Sequence, residues 1–232
     1  DDTIALHQRQ LDNHKDLKKV MLQKLFPQNI EKIPEVRFYG FTEEWELHKL
    51  GEYFKKYQNT VYLQDDVDYT QVSVRNTGVI ECRGTKKGKS IGRKRQYVID
   101  TEIYPNTLTF TRQTIYEGGI GFVPEHLHGA IVTENMPLLS MNGKMNKYFA
   151  ITMFETFPYF RKVIEKNMPI GSAQKALHEK VWLESELLIP NTEEQSKIGQ
   201  FFKQLDDAID LHQQKLNEYQ QVKKAMLQQM FV

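Results

Sequence analysis

The two ends of the chain are copies of one another. Residues 1–27, DDTIALHQRQLDNHKDLKKVMLQKLFP, align without a gap onto residues 206–232, DDAIDLHQQKLNEYQQVKKAMLQQMFV, at an offset of 205 with 13 identities in 27 positions. A period this long belongs to a duplicated domain-plus-helix unit, not to a solenoid. Both copies carry a helical pattern. Ile198, Phe202, Leu205, Ile209, His212, Leu216, Tyr219, Lys223, Met226 and Met230 alternate spacings of four and three, a heptad seam. The first copy keeps the register with Ile4, His7, Leu11, His14, Lys18, Met21 and Leu25. Leu6, Leu17 and Leu22, matched by Leu211, Val222 and Leu227, widen the stripe so that it can bury against more than one helix. Such a stripe permits an ordinary amphipathic pair lying on a domain core. The same seam at both ends favours helices that pack on each other or on copies from another chain.

The second helix has a start signal. Pro190 ends the preceding segment, Thr192 is placed to cap, and Gln195 follows three residues on, as a capping box requires. From Thr192 to Phe231 the helix would run about 60 Å at 1.5 Å per residue. Asp1 aligns with Asp206, inside that helix. The first copy is therefore expected to begin in mid-helix, as part of something longer.

Between the helices, Gln28 to Pro34 is a plausible linker and residues 35–190 one globular stretch. Strand-like alternation marks 69–75, 107–111 and 181–189, with shorter strands expected near 96–99, 119–123 and 129–133. Lys147 to Lys166 is helical in pattern, with Pro158 expected to break it. The expected fold class is α+β: one mixed α/β domain of many short strands, flanked by two long helices that pair as an antiparallel coiled coil.

No catalytic constellation emerges. There is no Walker-type phosphate loop, no His-Glu-x-x-His and no adenine-methyltransferase Asn-Pro-Pro-Tyr motif. His126 and His128 suggest a turn pair more than a metal site, because no carboxylate or cysteine cluster joins them. His7 and His212 lie on the seam, where packing or a polar register role accounts for them. Gly118, Gly119 and Gly121 indicate tight turns. Cys82 is the single cysteine, which excludes an internal disulfide framework and fits a reducing, cytoplasmic setting. No apolar run approaches the roughly 18 residues of a membrane span.

Charge is more informative locally than globally. The net charge is +1, which neither demands nor excludes a nucleic acid. Yet 83–95, RGTKKGKSIGRKR, holds Arg83, Lys86, Lys87, Lys89, Arg93, Lys94 and Arg95 and no acidic residue. Glycines 84, 88 and 92 make it a flexible loop or hairpin tip by pattern. Such a tip can bring guanidinium, ammonium and amide groups to phosphates and base edges; the plain alternative is a solvated hairpin. Residues 142–147, NGKMNK, are a second candidate contact loop of equal standing with a plain turn.

Several segments, in order, resemble the specificity (S) subunits of type I restriction–modification systems. Ile189-Pro-Asn-Thr-Glu-Glu-Gln-Ser-Lys-Ile198 is similar to the end of a target-recognition domain in that family, where a long helix begins. Phe201-Phe-Lys-Gln-Leu-Asp-Asp-Ala-Ile209, Lys223-Lys-Ala-Met-Leu-Gln228, Lys18-Lys-Val-Met-Leu-Gln23, and Ile33-Pro-Glu-Val-Arg-Phe38 leading to Trp45 and Lys49-Leu-Gly51 resemble its helical and linker regions. The resemblance implies a non-catalytic, cytoplasmic subunit. Its recognition domain (35–190) would read one half of a split double-stranded DNA site. Its helices (1–27 and 191–232, with 28–34 as linker) would space two such domains and dock methylase subunits, with a restriction subunit added for cleavage. The subunit itself needs no cofactor; S-adenosylmethionine is expected in the methylase partner.

This chain has one recognition domain where the family pattern has two. It resembles a half subunit, and two copies are expected to pair as a homodimer through the helices. The residues expected to contact DNA are Arg83, Lys86, Lys87, Lys89, Arg93, Lys94 and Arg95. Those expected to hold the helices are Leu11, Met21, Leu205, Ile209, Leu216 and Met226. The alternatives are the DNA-reading tail of a fused restriction–methylation enzyme and a coiled-coil scaffold with no DNA role.

Overall fold

A computed structural model describes residues 2–28, 31–168 and 176–230. The linker expectation for 28–34 falls partly on undescribed residues. A first helix, α1 (Asp2–Lys24), leads into the globular part, and a last helix, α5 (Thr192–Met230), leads out of it. The entry and exit are tied together. Strand β1 (Glu46–Lys49) pairs antiparallel with β11 (Glu186–Ile189), Glu46 opposite Ile189. Because one helix arrives where the other departs, the two must run antiparallel if they touch. They do: His7 meets His212, and Lys18 meets Asp206.

Between them lie two sheets. The first has the order β2 (Phe54–Tyr57), β10 (Leu138–Met141), β7 (Thr107–Phe110), β8 (Ile120–Phe122), all antiparallel. The second has the order β3 (Thr60–Tyr62), β6 (Arg95–Val98), β9 (Ile131–Val132), β4 (Asp68–Val74), β5 (Ile80–Lys87). In this sheet only the β4–β9 neighbours run parallel. All four residues of β7 are buried, as expected of a strand covered on both faces.

The main core gathers Trp45, Phe54, Phe110, Phe149, Trp182 and Phe202, together with Leu25 and Phe26 just after α1. Burying rings of this size supplies most of what holds the helices to the sheet, at roughly 25 cal/mol per Å² of apolar surface. The Trp182 indole N–H donates to the Tyr159 hydroxyl at 2.9 Å, and burial pushes that phenol's pKa far up. Helix α2 (Lys147–Phe154) is capped by Asn146, whose Oδ1 accepts from the Tyr148 and Phe149 amides. α5 crosses this cap at Gly199, where a Cβ would lie 2.6 Å from Asn146 Oδ1 and 2.7 Å from the Phe149 nitrogen. Only a glycine lets the long helix come so close.

The strands expected at 69–75, 96–99, 107–111, 119–123 and 129–133 correspond to β4, β6, β7, β8 and β9. The expected helix at 147–166 is broken, as Pro158 demands. Thr156 caps a new turn, α3 (Phe157–Tyr159), which passes into wider and tighter helical turns up to Asn167. Three expectations need correction. Residues 181–189 are not one strand: Glu179–Glu184 form a helix, α4, before β11. Helical spacing puts Glu179 and Trp182, three apart, on one buried side, which strand alternation cannot do. The cap of α5 is Asn191, not Thr192: its Oδ1 accepts from the Glu194 amide, while Gln195 reaches back to the Pro190 carbonyl. The basic run is not a flexible tip but the outer half of β5, a tight helical turn (Gly88–Ser90) and the start of β6.

Candidate nucleic-acid interface

The seven basic residues lie on β5, on the turn after it and on the approach to and start of β6, and carboxylates from elsewhere in the chain neutralise four of them. Gly88 is buried, and a Cβ there would fall 2.0 Å from the Gln64 carbonyl oxygen. Residues 63–67 are thereby zipped to 88–94: the Gly88 amide donates to Val67 O, the Lys89 amide to Asp65 O and the Leu63 amide to Lys94 O. The loop carries Asp65 and Asp66, and Asp68 follows at the start of β4. Lys94 meets Asp65 at 2.5 Å, Lys89 meets Asp66 at 3.4 Å and Lys87 meets Asp68 at 3.9 Å. Arg93 pairs with Glu134. The hydrogen bond from Lys94 and its charge hold the Asp65 carboxyl below the usual range, and Arg93 does the same for Glu134.

Three of the seven remain without a carboxylate. Arg95 lies over the Tyr97 ring at 5.7 Å. Arg83 and Lys86 have no ion pair among the described residues and are exposed. The asparagines of the second candidate loop are engaged in structure, while its Lys144 is exposed. Asn142 bonds to the Glu52 carbonyl, Asn146 caps α2, and the Asn146 amide donates to Gln195 Oε1.

The helix pair has its own geometry. His7 Nδ1 lies 3.0 Å from His212 Nδ1, so one ring must donate and the other accept. His7 stacks on Tyr219 and His14 on His212. Residues 7 and 212 are equivalent in the repeat, and so are 14 and 219. The pair thus carries a local twofold through the His7–His212 contact, which maps one stack onto the other. Leu11 and Leu216, also equivalent, are both buried beside it. Desolvation, with His14 and His7 adding to it, lowers the His212 pKa. Lys18 bonds Asp206 and Glu155, both at 2.7 Å, and so ties α1, α5 and the end of α2 together. Burial works against its charge, but the two carboxylates outweigh burial and raise its pKa. Among the expected pairing residues, Leu11, Leu205 and Leu216 are buried, while Ile209 and Met21 are half-buried. Met226 is 62% exposed and makes no buried contact with α1 among the described residues. Met230 lies where side chains are not described.

A family model, the type I restriction modification DNA specificity domain, matches residues 42–221. The chain belongs to this family. No curated protein matches it. Among solved structures, the HsdS subunit from Thermoanaerobacter tengcongensis is similar with a TM-score of 0.56 at 18% identity, covering 82% of this chain and 49% of that one. The type I restriction–modification S subunit from M. genitalium is similar with a TM-score of 0.57 at 15% identity, covering 98% and 56%. A chain from a structure titled for complex assembly and conformational transition of the type I R-M system gives 0.54 at 13%, covering 98% and 54%. These likenesses establish a shared fold, and this chain spans about half the length of those chains.

The family is one of DNA specificity, not of catalysis. Within this specificity domain, no group of three His, Cys, Asp or Glu side chains among the described residues could hold a metal ion. His128 sits in a turn, with the Thr101 amide donating to its Nδ1 at 3.2 Å. A cleft of about 610 Å³ where the domain meets α5 is rimmed by Glu43, Glu44, Glu46 and Glu52, the wrong sign for a phosphate. Beside it Arg37 grips the buried Glu194 with two bonds of 2.7 Å and fixes the start of α5. No described helix is long and apolar enough to cross a membrane. Sequence reasoning missed the neutralising carboxylates. The one available signal was the aspartate cluster at 65, 66 and 68, shortly before the basic run.

Proposed function

We propose that this chain is a sequence-specific recognition subunit for double-stranded DNA in a type I restriction–modification complex. Residues 35–190 read one half of a bipartite site. The helical arms, 1–27 and 191–232, pack as an antiparallel coiled coil and dock methylase subunits. Methylation and cleavage belong to the methylase and restriction partners, and S-adenosylmethionine to the methylase. The match of the specificity family over 42–221 carries this reading. The exposed Arg83 and Lys86 on β5, with Arg95 on β6 of the same sheet, supply cationic groups that a phosphate backbone needs.

A second copy of this chain completes the reading as a homodimer, through the outer part of the helical seam. Within the described residues α1 covers the inner part of the α5 seam, and Val222, Met226 and Leu227 on its outer stretch are exposed. These are the repeat equivalents of Leu17, Met21 and Leu22, and Met21 and Leu22 pack against the domain core. The outer stretch is thus suited to a second domain–helix unit, which would place two domains about a twofold and favour a symmetric split site.

The test is light scattering of the chain alone, with the methylase subunit of its own system, and with that subunit plus a duplex DNA. The expected result is one assembly containing two copies of this chain, methylase and DNA. A chain that stays monomeric, and that joins neither methylase nor DNA, would overturn the proposal.

A further inference from the structure

Arg83 stands apart from the other basic residues in how the backbone presents it. β5 is an edge strand of the second sheet. Its pairing with β4 is regular except at one step: Gln71 lies opposite Gly84 and Val72 opposite Cys82, so Arg83 is the extra residue of a β-bulge. Gly84 takes φ +132°, a conformation that side-chain-bearing residues rarely adopt. Nothing lies within 4 Å of where a Cβ on Gly84 would be. The bulge therefore relieves no crowding at that point. It interrupts the ladder at a solvent-facing edge, where bulges serve to re-aim a side chain.

The chemistry of the side chain adds to this. Lys87, Lys89, Arg93 and Lys94 spend their charge on carboxylates, while Arg83 keeps all its donors free of protein partners among the described residues. A guanidinium is a planar fork that fits guanine O6 and N7 with two parallel bonds. The β4–β5 hairpin forms the outer edge of the five-stranded sheet, with β9 on the other side of β4, and sheet strands can read DNA from a groove. Lys86, three residues on and exposed, offers a single charge of the kind that suits a phosphate.

We propose that Arg83 is a specificity-determining residue that reads a guanine in the major groove, with Lys86 on the adjoining backbone. This rests on the DNA-recognition reading above. The test is selection of a randomised duplex library by the full chain, compared with Arg83→Ala, Arg83→Lys and Lys86→Ala. Wild type should enrich a motif that contains a fixed guanine. Arg83→Ala and Arg83→Lys should lose preference at that one position by about 5- to 150-fold and keep the rest. Lys86→Ala should keep the whole motif and bind every sequence more weakly. If the Arg83 variants enrich the wild-type motif unchanged, the assignment of Arg83 is wrong. If wild type itself enriches no motif, the DNA-recognition reading fails as well. Circular dichroism melts matching wild type will separate these outcomes from misfolding.

Discussion

The helix pair and the basic edge of the second sheet are the two regions of this molecule with most to say about function, and they obey different physics. In the pair, what a residue does follows from its spacing along one helix. Leu11, Leu205 and Leu216 are buried because a heptad places them on the shared side. At the basic edge, what a residue does depends on a partner brought from elsewhere in the chain. Lys94 is answered by Asp65, 29 positions away, and Arg93 by Glu134. Packing along a helix is a one-dimensional problem; net charge at a surface is not.

The largest effects should come from where the helices are anchored. Arg37→Ala leaves the Glu194 carboxylate buried and unanswered, so it should cost about 3–5 kcal/mol, read as a lowered denaturant midpoint. Leu11→Ala, in the middle of the pair, should cost about 2–5 kcal/mol. If Leu11→Ala melts like wild type, the pair is not a stabilising element and the contrast with the basic edge dissolves.

At the basic edge, removing carboxylates should strengthen DNA binding. Asp65→Asn with Asp66→Asn frees Lys94 and Lys89. It should raise affinity for non-specific duplex and steepen the salt dependence by up to roughly 2 in slope. Stability should change little, since exposed pairs contribute about 0–1 kcal/mol. An unchanged slope would mean that this face does not meet DNA.

The histidine contact gives a pH signature confined to the pair. The His212 pKa lies below its ordinary value near 6.5, so the folded pair favours the neutral ring. That preference contributes fully above 6.5 and is lost as pH falls below it. The melting temperature should therefore decline below about pH 6.5, and less so in His212→Gln. Equal declines in both proteins would remove the histidines from the account. The smallest expected effect on the monomer is Met226→Asp: within about 0.5 kcal/mol in stability, because the side chain is exposed, yet with loss of self-association.

Much of the fold was legible in the sequence where the signal is local. The repeat marked both helices, and alternation marked β4 and β7. Pro158 marked the break after α2. The errors lie where tertiary structure overrides a short pattern. Val181-Trp-Leu-Glu alternates like a strand, but the core takes Trp182 and Glu179 from one side of a helix. Strands β1, β2, β3, β5 and β10 were not anticipated. The four-residue β1 reads Glu-Leu-His-Lys, with no apolar alternation to show that β11 would clamp it. Of the candidate site, the residue types were legible and their electrostatic state was not. Met226 follows the heptad, but the heptad does not say which of its positions a neighbour covers.

The most direct test of the central claim is the map of N6-methyladenine in cells that express this chain with the methylase subunit of its system. The account predicts a split motif that appears only when the chain is present, symmetric if two copies are paired. Methylation that is absent, or identical without the chain, would contradict it.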